Sequence, residues 1–228
     1  MTGHPDRAAW LQERRAAVEG QYDAEADGYD DDPYPATSHA AFVGRLLETC
    51  RPGGTVLDAP CGTGAYFELV RASGRRVVGI DQSAGMLAQA RAKEIATRLE
   101  QVGLQELKFD AAFDGAMTID AMENVPPEDW PRVLANLHRA IVPGGHLYLT
   151  VEVVDDSEID AAFAESTAKG LPAVRGEIIE GDTAGYHFYP RPEQVAVWLD
   201  SEGLDVVEEG HDQEDGWGYR HLLLHSRR

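Results

Sequence analysis

Basic residues are scarce in this chain. Its 228 residues hold 20 Lys and Arg against 40 Asp and Glu, a formal net charge of −20 at pH 7. A phosphate backbone is bound through a cationic face, so no nucleic-acid partner is expected; the acidity itself serves solubility. Cysteine is scarcer still, with only Cys50 and Cys61. Two cysteines make no disulfide framework, and a reducing, cytoplasmic setting is expected. Long apolar runs are missing: no stretch approaches the ~18 residues of a membrane span. The first residues carry no long apolar segment, so neither a leader nor a membrane partner is expected. Internal repeats and low-complexity tracts are also absent. These exclusions leave a chain long enough for one well-buried domain, or one domain with a small cap.

What is present is concentrated between Thr55 and Asp81. The short apolar run Val56-Leu57 ends in Asp58, and the tight loop Ala59-Pro60-Cys61-Gly62-Thr63-Gly64 follows. A helical pattern (Tyr66, Phe67, Leu69, Val70) stops at Gly74, and a second apolar run, Val77 to Ile80, ends in Asp81. Continuous apolar runs mark strands buried on both faces of a parallel sheet. Strand, glycine loop, helix, strand and acid make a βαβ nucleotide-binding unit, whose loop leaves the carboxyl edge where open α/β sheets bind ligands. Gly62 and Gly64 allow unusual backbone angles and close approach of a ligand. The helix start after Gly64 offers N–H groups to a carboxylate or phosphate. Asp81 is placed to accept hydrogen bonds from both hydroxyls of a ribose.

Two ligand classes compete for such a unit. A dinucleotide site calls for Gly-x-Gly-x-x-Gly, and Phe67 stands where the last glycine belongs, opposing close helix packing. A nicotinamide-dependent oxidoreductase is therefore the weaker reading. The loop instead resembles motif I of the class I S-adenosylmethionine-dependent methyltransferases, Asp-x-Gly-Cys-Gly-Thr-Gly. It departs at Pro60, which replaces the first glycine and removes one N–H. Two later segments carry the resemblance further. Phe113-Asp114-Gly115 through Glu123-Asn124-Val125 looks like the family's fourth-strand motif, and Leu137-His138-Arg139 through Pro143-Gly144-Gly145-His146-Leu147 like the motif before its fifth strand.

The resemblance implies an α/β fold. It gives a seven-stranded, mostly parallel sheet in the order 3-2-1-4-5-7-6, one strand antiparallel, with helices on both faces and an N-terminal helical cap. The cap or lid covers residues 1–38 and a Rossmann-like methyltransferase domain 39–228, with a substrate lid within 155–190. The residues agree with that division. Helices are expected at 6–22 (Trp10, Leu11, Val18 and Tyr22 near one face), 39–50, 84 to about 98 behind a Ser83 cap, Trp130 to about 141, 155–169 and 192–201. Strand three should fall within 99–107, strand four at 114–120, strand five at 146–153, and the last pair at 204–209 and 219–226. Residues 173–182 read as an inserted hairpin or lid, and His211, Asp212, Glu214 and Asp215 as a solvated acidic loop. Trp130 and His138 read as packing or surface residues.

By the same resemblance the cofactor is S-adenosyl-L-methionine, with S-adenosyl-L-homocysteine as product. Asp58, Ala59, Pro60, Gly62 and Gly64 would surround it at the first strand, Asp81 and Gln82 at the second, and Met86 along the adenine. The family usually has an acid bonding the adenine amino group after strand three; Leu104 or Gln105 falls there, and the Gln105 amide oxygen is able to accept that bond. Asp120 ends strand four beside the reactive centre. Tyr22, Tyr29, Asn124, Tyr186 and Tyr189 are candidate substrate contacts. Methyl transfer needs alignment and exclusion of water, plus a base where the acceptor loses a proton. His187 is the first candidate base, with Glu123 and Glu152 behind it; the alternative is that His187 is structural. Asp120, Glu123 and Asn124 offer oxygen ligands, but not in the separated Asp…Asp-Asn set of catechol-type enzymes, so no metal is expected. The acidity and the lack of an appended nucleic-acid domain point to a small-molecule acceptor. A third reading keeps the cofactor pocket without chemistry.

Overall fold

Successive residues of the central strands go to opposite faces, and both faces are apolar. Val56 and Leu57 take opposite sides, as do Val77 and Val78, Tyr148 and Leu149, and Leu223 and Leu224. This period-2 alternation needs cover on both sides, and helices supply it. The computed structural model describes residues 6–31, 37–180, 185–214 and 217–228. Its strands are β1 (Thr55–Asp58), β2 (Arg76–Asp81), β3 (Arg98–Gln101), β4 (Phe113–Thr118), β5 (Ile141–Val153), β6 (Glu177–Glu180), β7 (Gly185–Phe188), β8 (Leu204–Glu214) and β9 (Trp217–Ser226). Its helices are α1 (Arg7–Glu25), α2 (Thr37–Thr49), α3 (Phe67–Ala72), α4 (Ala84–Ala92), α5 (Trp130–Ala140), α6 (Asp156–Ala168) and α7 (Pro192–Ser201).

The main sheet runs β3-β2-β1-β4-β5-β9-β8. Counting only its own strands in chain order, that is the expected 3-2-1-4-5-7-6. β9 pairs antiparallel with both β5 and β8, and the other pairings are parallel. One face packs Leu57, Ile80, Leu147 and Leu222 against Leu134 and Leu137 of α5 and Val195 and Leu199 of α7. The other packs Val56, Met117 and Tyr148 against Phe42 and Leu46 of α2, Phe67 and Val70 of α3 and Leu87 of α4. Each large side chain so buried contributes roughly 1.5–3 kcal/mol. Trp130 and His138 are packing residues: the Trp130 indole N–H donates to Val125 O at 3.1 Å, and His138 Nε2 lies 2.7 Å from Ser226 Oγ.

Several boundaries differ from the sequence reading; β4 ends at Thr118, so Asp120 lies two residues beyond the strand it was expected to end. α4 stops at Ala92, where Glu94 takes φ 55°, because the chain must turn back for β3 to join β2. β5 begins at Ile141, directly after α5, so Pro143-Gly144-Gly145 lies within the strand's span, beside a register shift between Phe113 and Gly115 on β4. β8 continues to Glu214, so His211, Asp212 and Glu214 belong to a strand rather than a loop; Asp215 lies outside the described residues. Pairing with β9 supplies backbone partners that outweigh the polar composition, as an edge strand permits. The hairpin expected within 173–182 is shifted along the chain: β6 falls in that range, but its partner β7 lies beyond it and takes in Tyr186-His187-Phe188.

α1 lies across the carboxyl edge of the sheet, followed by a 3-10 turn at Ala26–Asp31. Asp6 caps it, accepting the Ala8 N–H at 3.1 Å. No helix among the described residues is long and apolar enough to cross a membrane.

Candidate functional site

The glycine loop is held by its own ligands. Gly62 and Gly64 take φ 51° and 82°, as a tight left-handed turn requires. Their amides are already used, however. Gly62 N–H donates to Asp81 Oδ2 at 2.9 Å, Gly64 N–H to Cys61 O at 2.8 Å, and Cys61 N–H to Ile80 O at 2.7 Å. The loop thus spends these N–H groups on its own shape. Asp81 is the hub: its Oδ1 accepts the Ser83 N–H at 2.8 Å, and Ser83 Oγ caps α4 by accepting from Met86 N–H at 3.0 Å. Burial pushes the Asp81 carboxyl up, opposed by the N–H bonds of Ser83, Gly62 and Gln82. Asp58, only 1% exposed, is pushed well above the carboxylate range by burial and by the charge of Asp81, and its Oδ2 has no hydrogen-bond partner. Cys50 and Cys61 are both free and buried.

Above this edge lies a cavity that opens to solvent. Of the expected cofactor residues, Asp58, Pro60, Gly62, Asp81, Gln82, Met86, Leu104, Gln105 and Asp120 line it; Ala59 and Gly64 do not. Of the expected substrate contacts, Tyr22, Tyr29 and Asn124 line it; Tyr186 and Tyr189 do not. The three expected catalytic residues, His187, Glu123 and Glu152, also stand outside the lining. Tyr186 is buried against Trp10 and donates its hydroxyl to Glu177 Oε1 at 2.6 Å. The Tyr189 hydroxyl lies 3.2 Å from His187 Nδ1.

Glu123 sits just behind the wall, 7% exposed, and accepts the Asn124 side-chain N–H at 2.8 Å. Burial, then the charges of Asp120 and Glu152, hold its carboxyl well above the usual range. The Asp120 carboxyl is also raised by burial, opposed by the Tyr219 hydroxyl, which donates to Asp120 Oδ1 at 3.2 Å. Asp120 takes φ 50°, with its N–H bonded to Thr150 Oγ1 at 2.7 Å. Among the described residues no group of three or more His, Cys, Asp or Glu is arranged to hold a metal ion.

The lining contains residues that the sequence reading did not single out as site residues, among them Arg15, Val18, Thr63, Tyr66, Val102 and Ile119. Val18 and Tyr66 had a signal in the helical patterns that carry them. Arg15 had none, because its guanidinium is set by Glu106 Oε1 at 2.8 Å and Gln82 Oε1 at 3.3 Å, 91 and 67 residues away.

Comparison with known proteins follows this geometry. The methyltransferase domain family model matches residues 56–145, from β1 into β5. The ubiquinone/menaquinone biosynthesis C-methyltransferase UbiE of Brucella anthropi is 30% identical over 185 residues, covering 73% of this chain and 69% of its own. In structure, the chain is similar to the Burkholderia thailandensis 1,6-didemethyltoxoflavin-N1-methyltransferase, solved with 1,6-didemethyltoxoflavin and S-adenosylhomocysteine bound. The TM-score is 0.72 at 19% identity, over 100% of this chain and 93% of that one. A SAM-dependent methyltransferase of Methanosarcina mazei superposes with a TM-score of 0.68 at 16% identity, over 86% of this chain and 98% of that one. The solved structures speak for the fold, and the family match and the Brucella relative speak for the chemistry: this chain belongs to the class I S-adenosylmethionine-dependent methyltransferases.

Proposed function

We propose that this enzyme passes the methyl group of S-adenosylmethionine to a small-molecule acceptor by in-line displacement. The observation that carries the reading is the lidded cavity. Its floor is the sheet edge with Asp58, Asp81 and Asp120, and its roof is Val18 and Tyr22 of α1 with Tyr29 of the following turn. Such a chamber encloses a small molecule and keeps water from a displacement. A −20 charge offers no face for a polynucleotide.

The wall fits the cofactor. Asp81 retains acceptor capacity beside the N–H bonds it accepts, as a ribose partner needs. Asp58 Oδ2 is a buried acceptor lacking a donor, and Met86, Leu104 and Gln105 offer an apolar slot with one amide for an adenine. When bound, S-adenosylmethionine supplies an electrophilic methyl on a positively charged sulfur. The chain's own residues then have three tasks. Asp81 and Gln82 fix one end, Tyr22, Tyr29 and Asn124 hold the acceptor, and α1 with its turn acts as a lid. A proton leaving the acceptor meets Asp120 in the wall, with Glu123 behind it, more directly than His187, which lies against Tyr189. The two free, buried cysteines fit a cytoplasmic setting.

Calorimetric titration with S-adenosylhomocysteine, NAD and NADP tests the first half of this reading, and a methyl-transfer screen over small acceptors the second. Binding of S-adenosylhomocysteine alone, with turnover on a small acceptor, is expected. Binding of a nicotinamide nucleotide instead, or cofactor binding without turnover on any small acceptor, sinks it.

A further inference from the structure

The cavity lining follows the strand order of the sheet. From Asp120 after β4 it passes Asp58 of β1 and Asp81 of β2, and it ends at Val102, Gly103, Leu104 and Gln105, just after β3. With Asp81 on the ribose and the reacting methyl towards Asp120, the purine falls at the β3 end, against Met86. The carboxylates of the described lining are Asp58, Asp81 and Asp120, and none belongs to this end. Its backbone acceptors are already in use. Leu104 O and Gln105 O take the Asn136 side-chain N–H groups at 2.9 and 3.1 Å, and Gly103 O takes the Glu106 N–H at 3.1 Å.

Donors dominate there instead. Arg15 reaches in from α1 and is the one cation of the described lining. Its Nε donates to Gln82 Oε1 at 3.3 Å, and its Nη1 and Nη2 to the two carboxylate oxygens of Glu106. A guanidinium carries five N–H groups, so these bonds leave it two. The room it occupies is kept by a glycine. Gly103 takes φ −81°, open to any residue, yet a Cβ there would collide with Arg15 Nη2 and lie 2.9 Å from Glu106 Oε2. Gln82 has given its Oε1 to Arg15 and keeps its side-chain N–H groups. Gln105 is the neutral exception, and an amide turns to serve an amino or an oxo group alike.

A purine meets such donors through its acceptors. In adenine these are the ring nitrogens; the 6-amino group only donates, and no charged acceptor in the lining awaits it. A 6-oxo oxygen, by contrast, is a regular partner of arginine, which takes it together with purine N7. We infer that Arg15 is a specificity residue for the cofactor, bonding the purine through its ring nitrogens, and that this enzyme does not require the 6-amino group. The inference rests on the methyltransferase reading above and concerns how that same site reads its cofactor.

Calorimetry on the full chain compares S-adenosylhomocysteine with S-inosylhomocysteine, in which an oxo group replaces the 6-amino group. A site that holds an amino group with a buried acceptor rejects the analogue lacking it by orders of magnitude, whereas here the loss should stay within about threefold. Arg15→Met keeps an apolar stem at a side chain 32% exposed. It should weaken S-inosylhomocysteine about tenfold and S-adenosylhomocysteine only about threefold, because a guanidinium bonds an oxo oxygen more strongly than a ring nitrogen. Glu106→Gln removes the charge that ties α1 to the β3 loop but leaves the guanidinium, and should keep the wild-type ratio of the two affinities. A wild-type loss of more than about fivefold overturns the inference, whether or not the variants fold. So does an Arg15→Met protein in which both ligands weaken equally or neither weakens, and so does a Glu106→Gln protein that reproduces the changed ratio; each makes Arg15 a tie for the lid and nothing more. Failure of S-adenosylhomocysteine itself to bind is a separate outcome and strikes the methyltransferase reading instead.

Discussion

The two walls of the cavity are held by different means. The glycine-loop part of the sheet-edge wall is held by near neighbours: Asp81 binds the N–H groups of Ser83, two residues away, and of Gly62, 19 residues away. The lid wall is held by side chains reaching far along the chain. Arg7 meets Glu177 across 170 residues, Arg15 meets Glu106 across 91, and Asp23 accepts from Ser83 Oγ across 60. Asp27 accepts from Gln89 across 62, and Asp30 from Thr63 across 33. A wall of the first kind is written in one motif. A wall of the second kind is written in pairs that only the fold brings together.

The largest effect should come from the lid's deepest anchor. Glu177 is fully buried, and Arg7, 22% exposed, donates to it at 2.7 and 3.1 Å and to Glu128 at 2.6 Å. Arg7→Ala strands that carboxylate. The cost should be about 2–3 kcal/mol, below the ~3–5 kcal/mol of breaking a fully buried pair, because Glu177 keeps bonds from the Tyr186 hydroxyl and the Val174 N–H. For a chain of this size that is a Tm drop of roughly 4–12 °C. An unchanged Tm would mean that α1 rests on the domain without stabilising it, and the contrast between the walls would lose its energetic side.

Asp81→Ala tests the other wall. It removes a ribose partner and leaves the Gly62 and Ser83 N–H groups unsatisfied. Affinity for S-adenosylhomocysteine should fall by ~1–3 kcal/mol, about fivefold to 150-fold by calorimetry. Unaltered affinity removes Asp81 from the site.

The sequence made the first wall readable because its signals are local. Apolar runs, two glycines and two acids within Thr55–Asp81 gave β1, the loop, α3 and β2, and singled out Asp81, whose bonds to the loop and to Ser83 only the structure shows. The second wall was reached unevenly. Tyr22 and Tyr29 came through resemblance, and Arg15 not at all. His187 shows the physical reason. Along β7 the burial alternates, so Tyr186 and Phe188 enter the core and His187 lies between them, with its Nδ1 at Tyr189. Aromatic neighbours in sequence suggested a pocket, but a strand sends neighbours to opposite faces. The polar end of β8 failed for a related reason: its backbone partners are on β9, which composition does not reveal.

A smaller effect separates floor from background. Burial and the charges of Asp120 and Glu152 raise the Glu123 carboxyl above its unfolded value, so the folded protein holds that proton more tightly than the unfolded chain. Glu123's contribution is in place below its unfolded pKa and is lost as pH rises toward its folded pKa. Glu123→Gln removes the titration. The variant's Tm relative to wild type should therefore climb by a few degrees from acidic to mildly alkaline pH. A difference that stays flat with pH would place Glu123 in a wetter setting than the wall described here.

The smallest expected change in stability carries the sharpest information about the lid. Asp30 accepts from Thr63 Oγ at 2.5 Å and pairs with Lys93 at 2.8 Å, fastening the turn beside Tyr29 to the glycine loop. Both charges are solvated, with Asp30 50% and Lys93 29% exposed, so the pair is worth at most about 1 kcal/mol. Asp30→Ala should hardly move the Tm. If the turn opens to release ligand, however, this fastening resists each opening, and its loss should speed S-adenosylhomocysteine dissociation several-fold in stopped-flow measurements. Added salt should quicken the wild type toward the same rate, since exposed pairs are screened. An Asp30→Ala protein that releases ligand at the wild-type rate would make the turn a fixed wall like the sheet edge. The difference between the two walls would then lie in how each is encoded and not in how each moves.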